Sequence, residues 1–139
     1  MSYPQYLTPA ETLAKGKTDA GLPPIAVICG STRFMDVMTD VDRALTWAGY
    51  IVVRPGCDMK NPHPLWADPA EADAGKVRLD GLHRAKIRLA EEVYVVCPGG
   101  YIGDSTRAEI AYAETLGLTV RYVADGDLTP VTVGGGEQQ

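Results

Sequence analysis

The chain has 139 residues, enough for one domain whose core needs neither a disulfide nor a structural metal, since a chain of this size buries roughly two thirds of its unfolded surface. Hydrophobic residues make up 45% and charged residues 22%, which are values of an ordinary globular domain and exclude disorder or collagen-like order for its body. The net charge of −5 argues against attraction to a nucleic acid polymer or an anionic membrane, yet a local Arg beside a helix N-terminus can still hold a small anion.

Residues 1–24 mix Pro, Gly, Thr and Lys and read as an N-terminal arm, closed by Gly21-Leu22-Pro23-Pro24. Ile25 to Cys29 is a continuous apolar run of the kind buried on both faces of a parallel sheet, and it breaks at Gly30-Ser31-Thr32-Arg33. From Phe34 to Ala48, Met38, Val41, Leu45 and Ala48 recur at helical spacing, and Gly49 closes the helix. Tyr50 to Val53 is the second strand. Residues 57–76 carry four prolines or glycines and no clear period, so they read as a structureless lid. Val77 to Glu92 gives a second helix with Leu79, Leu82, Ile87 and Ala90 on its stripe, and Val93 to Cys97 a third strand. A third helix runs from about Ser105 to Leu116, capped by Gly117, and Leu118 to Val123 is the fourth strand. Leu128 to Val133 could add an edge strand before a flexible tail over 134–139, so the α/β domain is placed at 25–133.

Strands alternating with helices imply a single-domain, doubly wound parallel sheet of four to five strands, of the flavodoxin or Rossmann-like kind, with helices on both faces. Ligands of such sheets bind beyond the carboxyl ends of the strands. The loops at that edge are Gly30–Arg33, Arg54–Lys76 and Pro98–Asp104, the three chemically richest stretches of the chain. A small-molecule site is therefore expected there.

The Gly30-Ser31-Thr32-Arg33 turn brings backbone N–H groups, two hydroxyls and a guanidinium to one place, as a phosphate requires. An ordinary βα turn, with Ser31 or Thr32 as a cap and Arg33 in water, is the competing reading. Neither GxxxxGK[ST] nor GxGxxG follows the strand, which speaks against nucleoside triphosphate hydrolysis and standard dinucleotide binding. In the loop after the third strand, Gly99, Gly100 and Gly103 let backbone approach a ligand. Ser105 and Glu109 share one face of the helix that follows. Against a chemical role, Thr106-x-x-Glu109 spells a capping box and Asp104 could be a cap. Met59, Asn61, His63, Trp66 and Asp68 of the lid suit a flat heterocycle, and Tyr101 and Tyr112 flank the same edge, although the lid set equally suits core plugging or an oligomer contact. His63 and His83 are the only histidines and lie about 20 residues apart, a spacing unlike that of a zinc site, so neither a metal nor a cofactor is expected. His83 reads more readily as packed or surface than as catalytic. Cys29, Cys57 and Cys97 are an odd set without CxxC and read as inert thiols of a reducing compartment. The first 17 residues hold no apolar stretch of signal-peptide type and no run approaches the ~20 residues of a membrane span, so the chain is expected in the cytoplasm.

From Ile25 to Val123 the chain resembles the nucleoside 2-deoxyribosyltransferase superfamily, including its 2′-deoxynucleoside 5′-phosphate N-hydrolase branch. The resemblance rests on Cys29-Gly30-Ser31-Thr32-Arg33 and on a Gly/Ser-rich turn followed by Glu109 in Ala108-Glu109-Ile110-Ala111-Tyr112-Ala113. It implies that Gly30, Ser31 and Arg33 bind phosphate, that Ser105 assists, and that Glu109 is the nucleophile at the anomeric carbon. Asp104, His63 and Asp68 are the candidate proton donors to the leaving base. By alignment, the Asp that the family carries on the helix before the third strand falls near His83 or Arg84, and its Asp or Ser six residues before the nucleophile falls at Gly103. Pro98-Gly99-Gly100 with a later helix Glu is also similar to the PGGxGTxxE motif of cytokinin-activating phosphoribohydrolases, which cleave the same type of bond, with an insertion that interrupts the pattern. The resemblance further implies homo-oligomerisation. The function expected is cleavage or transfer at the N-glycosidic bond of a nucleoside or nucleoside 5′-monophosphate; the alternatives are a non-catalytic nucleotide-binding module, sensor or sponge, and an oligomerising structural domain.

Overall fold

The computed structural model describes residues 6–125 and residue 128. Helix α1 (Pro9–Asp19) is followed by strand β1 (Ile25–Gly30), helix α2 (Met35–Trp47), strand β2 (Ile51–Val53), helix α3 (Pro69–Leu89), strand β3 (Glu92–Val96), helix α4 (Asp104–Thr115) and strand β4 (Thr119–Val123). The four strands form one parallel sheet in the order β2-β1-β3-β4, the Rossmann-like arrangement expected from the alternation of elements. The chain leaves β1 towards β2 and returns across it to β3, so the order reverses between β1 and β3. That reversal opens a crevice at their carboxyl ends.

Strand alternation divides the core into two layers. Ala26 and Ile28 of β1, with Tyr94 and Val96 of β3, pack on Met38, Val41 and Leu45 of α2. Ile25, Val27 and Cys29, with Val93 and Val95, pack on Ile87 of α3 and on Ile110 and Ala113 of α4. Both α3 and α4 thus cover the face to which Cys29 points. Buried Glu92 is paired with Arg121 at 3.3 Å across β3 and β4.

Several elements differ from the expectation. The arm holds α1, opened by a complete capping box between Thr8 and Glu11, and Lys17 ties it to the body through the Leu89 carbonyl at 2.6 Å and Glu91 at 2.7 Å. The lid is shorter than expected, because the last eight of its residues already belong to α3 and Pro64–Trp66 forms a 3₁₀ turn. Pro69 sits at the first helical position, where its missing N–H costs nothing, and Asp68 caps the helix through the Glu71 N–H. Read as breakers, these residues were in fact a helix start. The possible edge strand over 128–133 and the tail over 134–139 lie, Leu128 apart, outside the described residues. Among the described residues no helix is long and apolar enough to cross a membrane.

Candidate functional site

At the carboxyl ends of β1 and β3 lies a cavity of about 570 Å³, a size typical of small-molecule sites. Its walls are the turn after β1, the segment after β2, one face of α3 and the first turns of α4. On α3, Ala72, Asp73, Lys76, Leu79, Asp80 and His83 follow one another at spacings of one to four residues and all line it. On α4 the lining residues are Asp104, Ser105, Thr106 and Glu109, with Tyr101 and Gly103 just before them.

Three of these elements meet at the buried side of the cavity. Cys29, fully buried near the end of β1, lies with its Sγ 3.3 Å from His83 Nε2, and His83 Nε2 lies 3.5 Å from Glu109 Oε1. Burial holds the His83 imidazole down at about 4, helped by Lys86 and opposed by Asp80, so the ring is neutral at ordinary pH. Burial pushes Glu109 up to about 7, and the negative charge of Asp80 pushes the same way, against the Cys29 thiol hydrogen bond and Arg84. The Cys29 thiol is raised well above its usual range by burial and by Glu109. The contact between His83 and Glu109 is therefore no ion pair near pH 7. It joins a neutral ring to a carboxyl poised between its two forms, the condition in which acid, base and nucleophilic work are all accessible.

A second cluster gathers on Ser31. Its Oγ accepts from Lys60 Nζ at 3.0 Å, from Arg33 Nε at 3.2 Å and from the Arg33 backbone N–H at 3.3 Å. Arg33 also donates to the Tyr101 hydroxyl at 3.3 Å and lies 4.4 Å from that ring's centroid. Ser31 and Lys60 line the cavity, and Arg33, which is not among its lining residues, adjoins them through Ser31, so a hydroxyl and two cations form a corner suited to an anion. Thr32 lines the cavity too and donates its hydroxyl to Asp58 at 3.1 Å. Gly30 is required here by space: its φ is +151° and a Cβ would lie 2.7 Å from the Val96 carbonyl.

The capping-box reading of Glu109 does not hold. Gly103 is the N-cap of α4, Asp104 is its first residue, and Thr106 lies inside the helix and buried, so the Glu109 side chain is free of the helix end. Asp104 is likewise no cap and lines the cavity with Ser105, Tyr101 and Gly103, as expected of them. Other expectations are corrected. His63 caps the 3₁₀ turn through the Leu65 N–H and stacks on Trp66, and Asp68 caps α3; neither lines the cavity. Gly99 and Gly100 shape the turn, with Gly99 N–H donating to Asp125 at 2.6 Å, and do not line it either. Tyr112 accepts from Arg88 at the far part of α4. Cys29 is not the isolated thiol expected, since a base and a carboxyl adjoin it. Asp80 and Lys60 were not foreseen at the site, and His83, read as packed or surface, is buried and lines it. Asp80 stands one turn before His83 on the same face of α3, and the helix expected from Val77 already contained both, so the pair could have been read from the helical period. Comparison of the chain with protein-family models, with curated proteins and with solved structures gives no match.

Proposed function

We propose that this chain cleaves or transfers at the N-glycosidic bond of a nucleoside or nucleoside 5′-monophosphate, with the Glu109 carboxylate acting at the anomeric carbon. One observation carries the reading: a carboxyl raised to about 7 lines the same cavity as Ser31 and Lys60, with Arg33 bonded to Ser31 beside it, an arrangement that suits one ligand with a reacting sugar and an anionic end. The resemblance to the nucleoside 2-deoxyribosyltransferase superfamily assigns the same roles to Glu109, Ser31 and Arg33.

In the first step the ionised Glu109 oxygen bonds to C1′ while the C–N bond breaks and its electrons leave on the base nitrogen, which takes a proton. Water or a second base then takes the glycosyl group and frees the carboxylate. Asp104 is the one of the three expected proton donors that lines the cavity. Asp80 favours the protonated form of Glu109 in the free protein, and an oxocarbenium-like transition state reverses that balance by supplying positive charge beside both carboxylates.

The test is chromatography of free base after incubation with a panel of nucleosides and their 5′-monophosphates, for wild type and Glu109→Ala. Release by the wild type, reduced at least about a thousandfold in the variant, is expected. A ligand that stabilises the protein against heat and returns intact would replace this reading with the nucleotide-binding module.

A further inference from the structure

Cys29, His83 and Glu109 come from β1, α3 and α4, and their donor atoms all lie within 4.8 Å of one another. One close pair would be ordinary packing, but here sulfur, nitrogen and oxygen donors converge on one point from three separate elements. A tetrahedral ion with bonds of about 2.3 Å to sulfur and about 2.0–2.2 Å to nitrogen and oxygen holds its donors about 3.4–3.6 Å apart. The 3.3 Å between Cys29 Sγ and His83 Nε2 and the 3.5 Å between His83 Nε2 and Glu109 Oε1 match that spacing within 0.2 Å. Cys29 and His83 are more than nine tenths buried, and Glu109 faces the cavity, so a fourth position opens to solvent.

We infer that Cys29 Sγ, His83 Nε2 and a Glu109 oxygen form a three-donor site for a borderline-soft divalent cation of the zinc type, with its fourth position open to the cavity. A thiol and an imidazole in the set disfavour Mg²⁺ and Ca²⁺, which take oxygen donors. Binding displaces the thiol proton of Cys29 to solvent, and any proton on Glu109, with no change of oxidation state. Where Glu109 is the nucleophile proposed above, an ion on its oxygen withdraws it, and zinc is then an inhibitor of base release.

Cobalt(II) is the probe, because thiolate ligation gives a near-ultraviolet charge-transfer absorption and tetrahedral geometry gives intense visible bands. Chelator-stripped wild-type protein is titrated with Co²⁺ and then with Zn²⁺. One equivalent of Co²⁺ with both signatures, displaced by Zn²⁺, is expected. Cys57→Ser, which removes the cavity's other thiol, keeps both signatures, whereas Cys29→Ser loses the charge-transfer band and His83→Gln weakens binding at least tenfold. Absence of the band in wild type, or its survival in folded Cys29→Ser, overturns the site. Should Cys29→Ser not fold, Glu109→Gln and His83→Gln decide, and wild-type affinity in both overturns it. Base release without Co²⁺ binding refutes this site alone, and Co²⁺ binding without base release refutes only the glycosidase reading.

Discussion

Replacing Glu109 by Gln should make the protein more stable, by an amount that depends on pH. A carboxyl whose folded-state value is raised from its ordinary 4.5 to about 7 binds its proton more tightly in the folded than in the unfolded chain. The folded state is therefore favoured at low pH, and that advantage is lost as pH rises through 7. With those two values, ionising Glu109 costs the folded state about 3 kcal/mol at pH 8 and about 1 kcal/mol at pH 5. Glutamine keeps the shape and removes the charge, so Glu109→Gln should gain up to about 3 kcal/mol at pH 8 and about 2 kcal/mol less at pH 5. His83, held near 4, destabilises the fold in acid, but it does so in both proteins and cancels when they are compared at one pH. Urea unfolding of both proteins with a chelator present, at pH 5 and pH 8, measures the difference; the pH 8 gain corresponds to roughly 5–10 °C in Tm for a chain of this size. Equal effects at the two pH values, or a loss at pH 8, would refute the assignment of Glu109 as a strained, half-protonated carboxyl.

With chelator present, base release should rise with pH and level off above about 7, because the ionised Glu109 is the attacking form; a fall above 7 in the kcat/KM profile would make Glu109 a proton donor instead. The double change Arg33→Ala and Lys60→Ala should raise KM for a nucleoside 5′-monophosphate tenfold to a hundredfold, on the order of 1.5–3 kcal/mol, and leave the parent nucleoside within about twofold. Equal losses on both substrates in steady-state kinetics would remove the anion corner. Gly30→Ala, whose methyl meets the Val96 carbonyl at 2.7 Å, should destabilise by about 2–3 kcal/mol in urea unfolding, and a change within about 0.5 kcal/mol would contradict the close approach of β1 and β3.

The sheet was legible because its signals are local. Ile25 to Cys29 and Val93 to Cys97 are uninterrupted apolar runs, and the glycines after them mark the edge where the cavity lies. Residue clusters that depend on which layer a side chain joins were not legible. That Cys29 meets His83 follows only once odd positions of β1 are known to face α3 and α4. Histidine spacing along the chain cannot reveal a cluster whose other members are a cysteine 54 residues away and a glutamate on another helix. The lid was misread because prolines break structure in one setting and begin it in another, as Pro64 and Pro69 do here. The Thr106-x-x-Glu109 pattern failed for a related reason: a capping box is defined by where the helix starts, and Gly103 starts α4 three residues before Thr106.

Helix α3 is about 31 Å long by its 21 residues, about twice the span of the five-residue strand β3 that follows it. Its later half, with His83 and Ile87, is buried against the core, while the earlier half, from Ala72 to Asp80 and with Gly75 buried, forms a wall of the cavity. Asp80 stands on this wall and its charge raises Glu109, so the helix that bounds the cavity also sets the proton balance of the carboxyl inside it.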